Sequence, residues 1–320
     1  MSKDAKSRFD IHQAVTDKII KAIEAGAAGD QWTMPWHRPG TSFALPKNAL
    51  TDKCYRGINV LSLWIDADEK KYPHPIWATY KQWQVLGAQV GGGEKSSLIV
   101  KYGEWQPKGD AAQQPATPSS AGENSDDGKR MYAKAAYVFN IDQVDNYPRP
   151  ETPELIDTTD RLAHVDQFIQ NTKIEIREGG SRAFYCRPLE NGGGDFVQMP
   201  PREYFIGTTT SSPTESYYAT ELHECLHATG SRKRLDRQFG KRFGDNDYAF
   251  EELLVEIGAA TMCCTLGITS EPRPDHAQYV QHWLTILKGD NRAIFTASAA
   301  ASKAIDYLYS LQPVPCENDG

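Results

Sequence analysis

Residues 211–230 have the sequence SSPTESYYATELHECLHATG, which carries the signals that begin and end a helix. Ser212 and Glu215 have the spacing of a capping box, in which each side chain binds the backbone N–H of the other residue. Pro213 stands at the first helical position, where its missing N–H is tolerated, and Gly230 follows the last helical residue. The segment therefore predicts a helix of about sixteen residues with both ends fixed.

This predicted helix contains the motif His223-Glu224-Cys225-Leu226-His227. Residues four apart lie on one face of a helix, so both imidazoles can bind one metal ion while Glu224 reaches a water bound to it. Zinc lowers the pKa of such a water, and Glu224 can then act as a general base. The alternative is a pair of core histidines beside a surface glutamate, which the fixed helix ends disfavour. We expect Zn²⁺ here, and other divalent metals also fit these ligands.

A site of this kind needs a third protein ligand and keeps one position for water. The segment AFEELLVEIGAATMCC has the pattern of a second helix and offers Glu251, Glu252 and Glu256 beside an apolar stripe. In gluzincin peptidases the ligand glutamate is followed four residues later by an acid that supports a ligand histidine. That spacing favours Glu252 as the ligand and Glu256 as the supporting acid. The reverse assignment, with Glu256 as the ligand, stays open.

The first half of the chain interleaves aromatic with basic side chains. Residues 1–105 carry 14 lysines and arginines against 11 acids, whereas residues 132–320 carry 18 against 27. Single-stranded nucleic acid is held by aromatic rings that stack on bases and by cations that contact phosphates. The alternative is that the tryptophans fill a small core, and composition alone does not separate the two. The predicted DNA contacts are Trp32, Trp36, Arg38, Lys47, Asn48, Lys53, Tyr55, Arg56, Asn59, Trp77, Tyr80, Lys81, Trp83, Lys95 and Lys101.

The chain is long enough, at 320 residues, for two domains that each bury a core. We predict an α+β fold with a first domain at 1–148, whose partner the composition leaves open, and a metallopeptidase-like domain at 149–320. Residues 106–131 are rich in Pro, Gly, Ser and Asp with almost no apolar anchors, which predicts a flexible insertion. The apolar runs on either side of it predict two strands that pair with each other.

Targeting and redox signals are weak. No apolar run reaches the length of a membrane span, and the N-terminus has no apolar signal core, so we expect a cytoplasmic protein with no membrane partner. Six cysteines occur without a C-x-x-C pair, which argues against a disulfide framework and against a cysteine zinc knuckle.

Longer stretches resemble the ArdC-type antirestriction proteins of conjugative plasmids. In the first half these are VTDKIIKAIEAG, WTMPW, NALTDKCYRGINVLSLW, IWATYKQWQVLGAQVGGGEKSSLIVKY and YVFNIDQVDN. In the second half they are ESYYATELHECLHATGSRKRLDR and YAFEELLVEIGAA. The resemblance implies a first domain that binds single-stranded DNA with little sequence preference, related to domains of TraC-type primases. It also implies a second domain of zincin-like fold, of the gluzincin or SprT-like kind.

The resemblance implies a protein that shields plasmid DNA from restriction enzymes when the plasmid enters a new host as a single strand. One alternative is a SprT-like zinc metalloprotease that cleaves DNA-bound proteins, with a host restriction enzyme or another DNA-bound protein as its partner. A second alternative is a binding protein whose metal site is purely structural. The sequence leaves open whether the site cuts peptides, which metal it holds in the cell, the oligomeric state and the restriction systems affected.

Overall fold

The structure, a computed structural model, describes residues 9–28, 44–104, 131–150, 158–188, 194–207, 211–237, 246–268 and 279–313. The predicted DNA contacts Trp32, Trp36 and Arg38 lie outside these ranges. So does the predicted insertion at 106–131, except for its last residue. No helix in the described ranges is both long and apolar enough to span a membrane.

Helices and strands mix along the whole described chain, which confirms the predicted α+β class. The α-helices are α1 (Ile11–Ala27), α2 (Ile58–Glu69), α3 (Tyr80–Val85), α4 (Thr158–Asn171), α5 (Pro213–Thr229), α6 (Asn246–Leu266), α7 (Val280–Gly289) and α8 (Ala293–Ser310). The strands are β1 (Lys47–Asn48), β2 (Ile76–Ala78), β3 (Gln89–Val90), β4 (Ser97–Glu104), β5 (Met131–Asn140), β6 (Val144–Asp145), β7 (Ile176–Glu178), β8 (Phe184–Cys186) and β9 (Phe196–Met199).

The first half is built on a four-stranded sheet in the order β1-β2-β5-β4. Strands β4 and β5 are antiparallel and pair from Ser97 opposite Val138 to Glu104 opposite Met131. This ladder confirms that the two strands on either side of the predicted insertion pair with each other. A two-stranded sheet of β3 and β6 completes the first half.

Helix α2 covers the free edge of β4. The amide of Asn59 donates to the carbonyl of Val100 at 2.8 Å and accepts from the N–H of Val100 at 2.7 Å. One turn later, the hydroxyl of Ser62 donates to the carbonyl of Leu98 at 2.8 Å. An uncovered edge strand can pair with another chain, and these side chains satisfy its backbone groups instead.

The second half places α5 against both a sheet and a helix. Strand β9 is central in a three-stranded sheet, parallel to β7 and antiparallel to β8. Helix α5 packs on β8 and β9 and, along its length, on α6. The motif helix is therefore enclosed, which explains why most of its residues are buried.

The largest apolar core contains side chains from both halves of the chain. Ile19 of α1 and Trp64 of α2 belong to the same cluster as Leu222 of α5 and Trp283 of α7. Helix α1 packs against α7, and α2 packs against α8. The expectation that each half buries a separate core is therefore wrong for this shared cluster, although two smaller clusters lie within the first half.

Candidate metal centre and nucleic-acid surface

Helix α5 begins at the predicted capping box. The N–H of Ser212 donates to the carboxylate of Glu215 at 3.0 Å, and the N–H of Glu215 donates to the hydroxyl of Ser212 at 3.2 Å. The helix then runs to Thr229 with Gly230 as its C-terminal cap. The packing of α5 against α6 turns its two histidines toward the carboxylates of that helix.

Helices α5 and α6 approach closely at Gly258. A β-carbon at this position would lie 3.0 Å from the Cδ1 atom of Leu226, which is tighter than an ordinary carbon–carbon contact. The glycine therefore allows the carboxylates of α6 to reach the histidines of α5.

Three ligand atoms converge between the two helices. The Nε2 atoms of His223 and His227 lie 3.2 Å apart. One oxygen of Glu252 is 3.6 Å from His223 Nε2, and the other is 3.4 Å from His227 Nε2. A tetrahedral ion with bonds of about 2.0–2.1 Å holds its ligand atoms about 3.3 Å apart. All three side chains are buried, and their spacing fits one small divalent ion.

Two further carboxylates lie behind the histidines. Nδ1 of His223 is 3.3 Å from an oxygen of Glu256, and Nδ1 of His227 is 3.4 Å from an oxygen of Glu251. Each histidine can therefore donate its Nδ1–H to a carboxylate and present Nε2 to a metal, which is the usual arrangement around protein-bound zinc. Glu252 lies on the Nε2 side of His223, and Glu256 lies on its Nδ1 side.

Arg237 binds the carboxylate of Glu251. This arginine was not among the site residues predicted from the sequence. Its guanidinium donates to both oxygens of that carboxylate, at 2.7 and 3.1 Å. It also donates to the hydroxyl of Thr229 at 2.6 Å and to the carbonyl of Leu226 at 2.8 Å. The only sequence signal for this contact is the run of basic residues directly after the motif helix, which faces an acidic neighbouring helix.

The carboxylates around His223 and His227, rather than burial, decide the direction in which the pKa values of these histidines shift. Burial alone would lower the pKa of His227, but the charge of Glu252 and hydrogen bonds to Glu251 and Glu252 raise it to about 10. Glu252 and Glu256 likewise raise the pKa of His223 against the effect of burial. A metal ion that binds here must displace protons held by these imidazoles.

Glu224 lies beside the converging atoms. It is buried, and its negative charge contributes to the raised pKa values of both histidines. Tyr217 and Tyr218 are 5% and 1% exposed and pack against each other. Tyr248, which the sequence analysis missed, lies one turn before Glu252. Burial and the nearby charge of Glu252 raise its pKa.

Two of the predicted DNA contacts are core residues. Trp77 and Trp83 are both 0% exposed. Trp77 packs with Leu63 and Val138, and the indole N–H of Trp83 donates to the carbonyl of Phe139 at 3.1 Å. The prediction that they stack on DNA bases is wrong, because neither ring has a face open to solvent. The alternative interpretation, that they fill the core, applies to these two.

The predicted polar contacts Asn48 and Asn59 are engaged inside the protein. Asn48 donates to the hydroxyl of Tyr55 at 3.1 Å and accepts the N–H groups of the turn that follows it. Asn59 is bound to the backbone of Val100 through both of its polar atoms. These contacts correct the prediction that both amides face DNA. They stabilise a turn and a strand edge instead, while Tyr55 is half-buried.

Among the other predicted DNA contacts that the structure describes, some side chains are held in ion pairs and others are exposed. Lys47 is paired with Asp52 at 2.6 Å, and Arg56 is paired with Asp306 of α8. Exposed side chains without a recorded acidic partner in the described ranges are Lys53, Tyr80, Lys81, Lys95 and Lys101.

Two family models match the chain. Residues 9–139 match the N-terminal domain of anti-restriction factor ArdC, and residues 163–300 match a zincin-like metallopeptidase. The uncharacterized protein y4eC of Sinorhizobium fredii is 41% identical over 305 residues, which cover 95% of this chain and 92% of that protein. Two DNA primases TraC of Escherichia coli are 33% and 34% identical, and the chain spans only 20% and 28% of their lengths.

Two solved structures are similar over nearly the whole chain. Both are crystal structures of the antirestriction ArdC protein from plasmid R388, one metal-free and one with Mn(II) bound. Each is 37% identical and covers 95% of this chain and 98% of its own, with TM-scores of 0.72 and 0.71. The matches confirm the zincin-like second domain and support a divalent metal. The chain belongs to the ArdC family of antirestriction proteins.

Proposed function

We propose that this protein binds single-stranded DNA through its first half and shields incoming plasmid DNA from host restriction. We further propose that its second half holds Zn²⁺ at His223, His227 and Glu252. The observation that carries the metal proposal is the spacing of the three donor atoms, 3.2 to 3.6 Å, in a buried site. Two imidazole nitrogens and one carboxylate oxygen suit zinc. The Mn(II) in the similar structure favours a site that also accepts other divalent ions.

The surrounding residues determine what such a site can do. Bound zinc would supply a Lewis acid and an acidified water. Glu224 would take a proton from that water and return it to a leaving group. Glu251 and Glu256 orient the two imidazoles, and Arg237 holds Glu251 in position. Structural zinc sites are usually closed by four protein ligands. A three-ligand set among the described residues therefore disfavours the purely structural alternative.

The second candidate function is a zinc metalloprotease that cleaves DNA-bound proteins. The observation that favours it is the buried Glu224 adjoining the three donors, which a simple binding protein does not need. Both functions use the same metal site, and they differ only in whether Glu224 chemistry is required. Replacing Glu224 therefore separates them.

The test is a transfer experiment in which a plasmid enters restricting and non-restricting recipients as a single strand. Wild-type protein should raise the yield in the restricting recipient alone. Glu224→Ala should protect as well as wild type, and Glu203→Ala, an exposed glutamate in the same half, serves as the control. Loss of protection in Glu224→Ala, with metal content and DNA affinity retained, would establish the protease function instead. A wild-type protein that gives no protection would overturn the antirestriction proposal.

A further inference from the structure

We propose that the outer part of the β4–β5 ladder is the surface that contacts single-stranded DNA, an inference that rests on the proposed function. Lys101 lies directly opposite Lys134, and Gly103 lies directly opposite Tyr132. Paired residues in a sheet, and residues two apart on one strand, have their side chains on the same face. We call these four residues the hairpin platform. Lys134 and Tyr132 were not among the predicted contacts.

The two lysines of the platform form a like-charge pair. Both are exposed, and like charges directly opposite each other in a sheet are destabilising. Across the described ranges, the side-chain ammonium groups of Lys101 and Lys134 have no acidic partner and no hydrogen bond. A negatively charged ligand would relieve their repulsion. A phosphodiester backbone supplies such charges at regular intervals along a strand.

Gly103 leaves room for the aromatic ring of Tyr132 above the sheet. A β-carbon at this position would lie 2.6 Å from both Cζ and the hydroxyl oxygen of Tyr132. The backbone of Gly103 does not have the positive φ that requires glycine, so the space for the ring explains the residue. Tyr132 remains 40% exposed with its ring across the neighbouring strand. One face of the ring is thus supported by backbone and the other is available for stacking.

Two lysines beside an exposed tyrosine ring favour single-stranded DNA over other anionic ligands. Duplex DNA keeps its bases stacked and could use only the lysines, whereas an unpaired base can lie on the tyrosine ring. An acidic protein segment would satisfy the lysines but gives no reason for a glycine that makes room for an exposed ring. Lys101 and Gly103 of the platform also belong to residues 1–105, where 14 lysines and arginines outnumber 11 acids.

The test measures binding of the full-length protein to a fluorescent oligothymidylate by anisotropy. Tyr132→Ala should weaken binding about 5- to 150-fold, the effect of losing one base stack, and Tyr132→Phe should bind like wild type. Gly103→Ala keeps the tyrosine but displaces its ring, so it should weaken binding in the same direction. Lys101→Gln with Lys134→Gln should reduce the slope of log affinity against log salt by about 1.4, as expected for two phosphate contacts.

The control is Lys173→Gln, which removes one exposed charge from the second half. Circular dichroism and metal content confirm that each variant is folded. If wild type binds but all platform variants bind like Lys173→Gln, the platform is not the DNA surface, although the proposed function survives. A wild-type protein that does not bind the oligonucleotide would overturn the proposed function itself. Equal affinity for a duplex of the same length would exclude base stacking on Tyr132.

Discussion

Neutralising Glu251 tests how the metal site is organised. This buried carboxylate lies 3.4 Å from Nδ1 of His227 and receives two hydrogen bonds from Arg237. Glu251→Gln keeps the shape of the side chain and removes its charge, so His227 loses the ionised partner that fixes its orientation. Loss of such a partner lowers metal affinity about 10- to 100-fold, which corresponds to about 1.4–2.7 kcal/mol.

The same substitution carries a separate folding cost. It leaves the guanidinium of Arg237, whose side chain is only 12% exposed, beside a neutral amide. Removing one partner of a buried ion pair costs about 3–5 kcal/mol in the free energy of unfolding. The double variant Arg237→Gln with Glu251→Gln removes both charges, so it should recover much of that stability without recovering metal affinity. A role in folding alone predicts that both properties recover together.

Metal affinity is measured by competition with a chromogenic zinc chelator, and the free energy of unfolding by urea titration of the same samples. Glu256→Gln provides the matched comparison, because Glu256 lies 3.3 Å from Nδ1 of His223 in the equivalent position. The two single variants should lower metal affinity to a similar extent. Wild-type affinity in Glu251→Gln, with reduced affinity in Glu256→Gln, would refute the idea that Glu251 orients His227.

Three further predictions concern stability. Hydrogen bonds from Lys233, Arg234 and Tyr185 outweigh burial and lower the pKa of Asp195 to about 2. Its stabilising contribution, about 2–3 kcal/mol, is therefore complete above its unfolded pKa near 3.8 and lost as the pH falls through about 2. Urea titrations should show that Asp195→Asn loses this contribution at pH 7 and has a weaker dependence on pH between about 4 and 2. Trp83→Ala should cost about 3–5 kcal/mol in urea unfolding, while the folded protein keeps wild-type affinity for single-stranded DNA in anisotropy titrations. Gly258→Ala should cost about 1–3 kcal/mol, seen as a lower thermal midpoint, because the added methyl group meets Leu226.

Local patterns made much of the second half predictable. The capping box, the proline and the glycine of α5 act within one helix, so the sequence could place its ends. His223 and His227 are four residues apart, and helix geometry alone puts them on the same face. The periodic pattern of α6 likewise made Glu252 and Glu256 candidates. What the sequence lacked was the rotation of α6 relative to α5, which determines the carboxylate that meets each nitrogen.

Long-range contacts account for the errors and omissions. Arg237 and Glu251 are joined only when the chain after α5 folds back onto α6. Asn59 was predicted to meet DNA because it is polar and near basic residues, yet its partner is a strand about forty positions further on. Trp83 was misassigned for the same reason. A tryptophan gives the same sequence pattern whether it stacks on a base or fills a core, because its ring is apolar and its N–H is polar. Only the packed sheet separates these two roles.

The shared core joins the two halves into one packed unit. Helix α1 precedes the four-stranded sheet in sequence, yet the hydroxyl of Thr16 donates to the carbonyl of Asn291 at 2.7 Å, and Lys288 pairs with Glu24. A cut between the halves would expose the apolar stripe of α1 and the face of α7 that it covers. The TraC primases match this chain over 306 and 317 residues, so both halves occur together within those much longer proteins. The proposed metal site and the proposed DNA surface therefore lie on elements that pack into the same core.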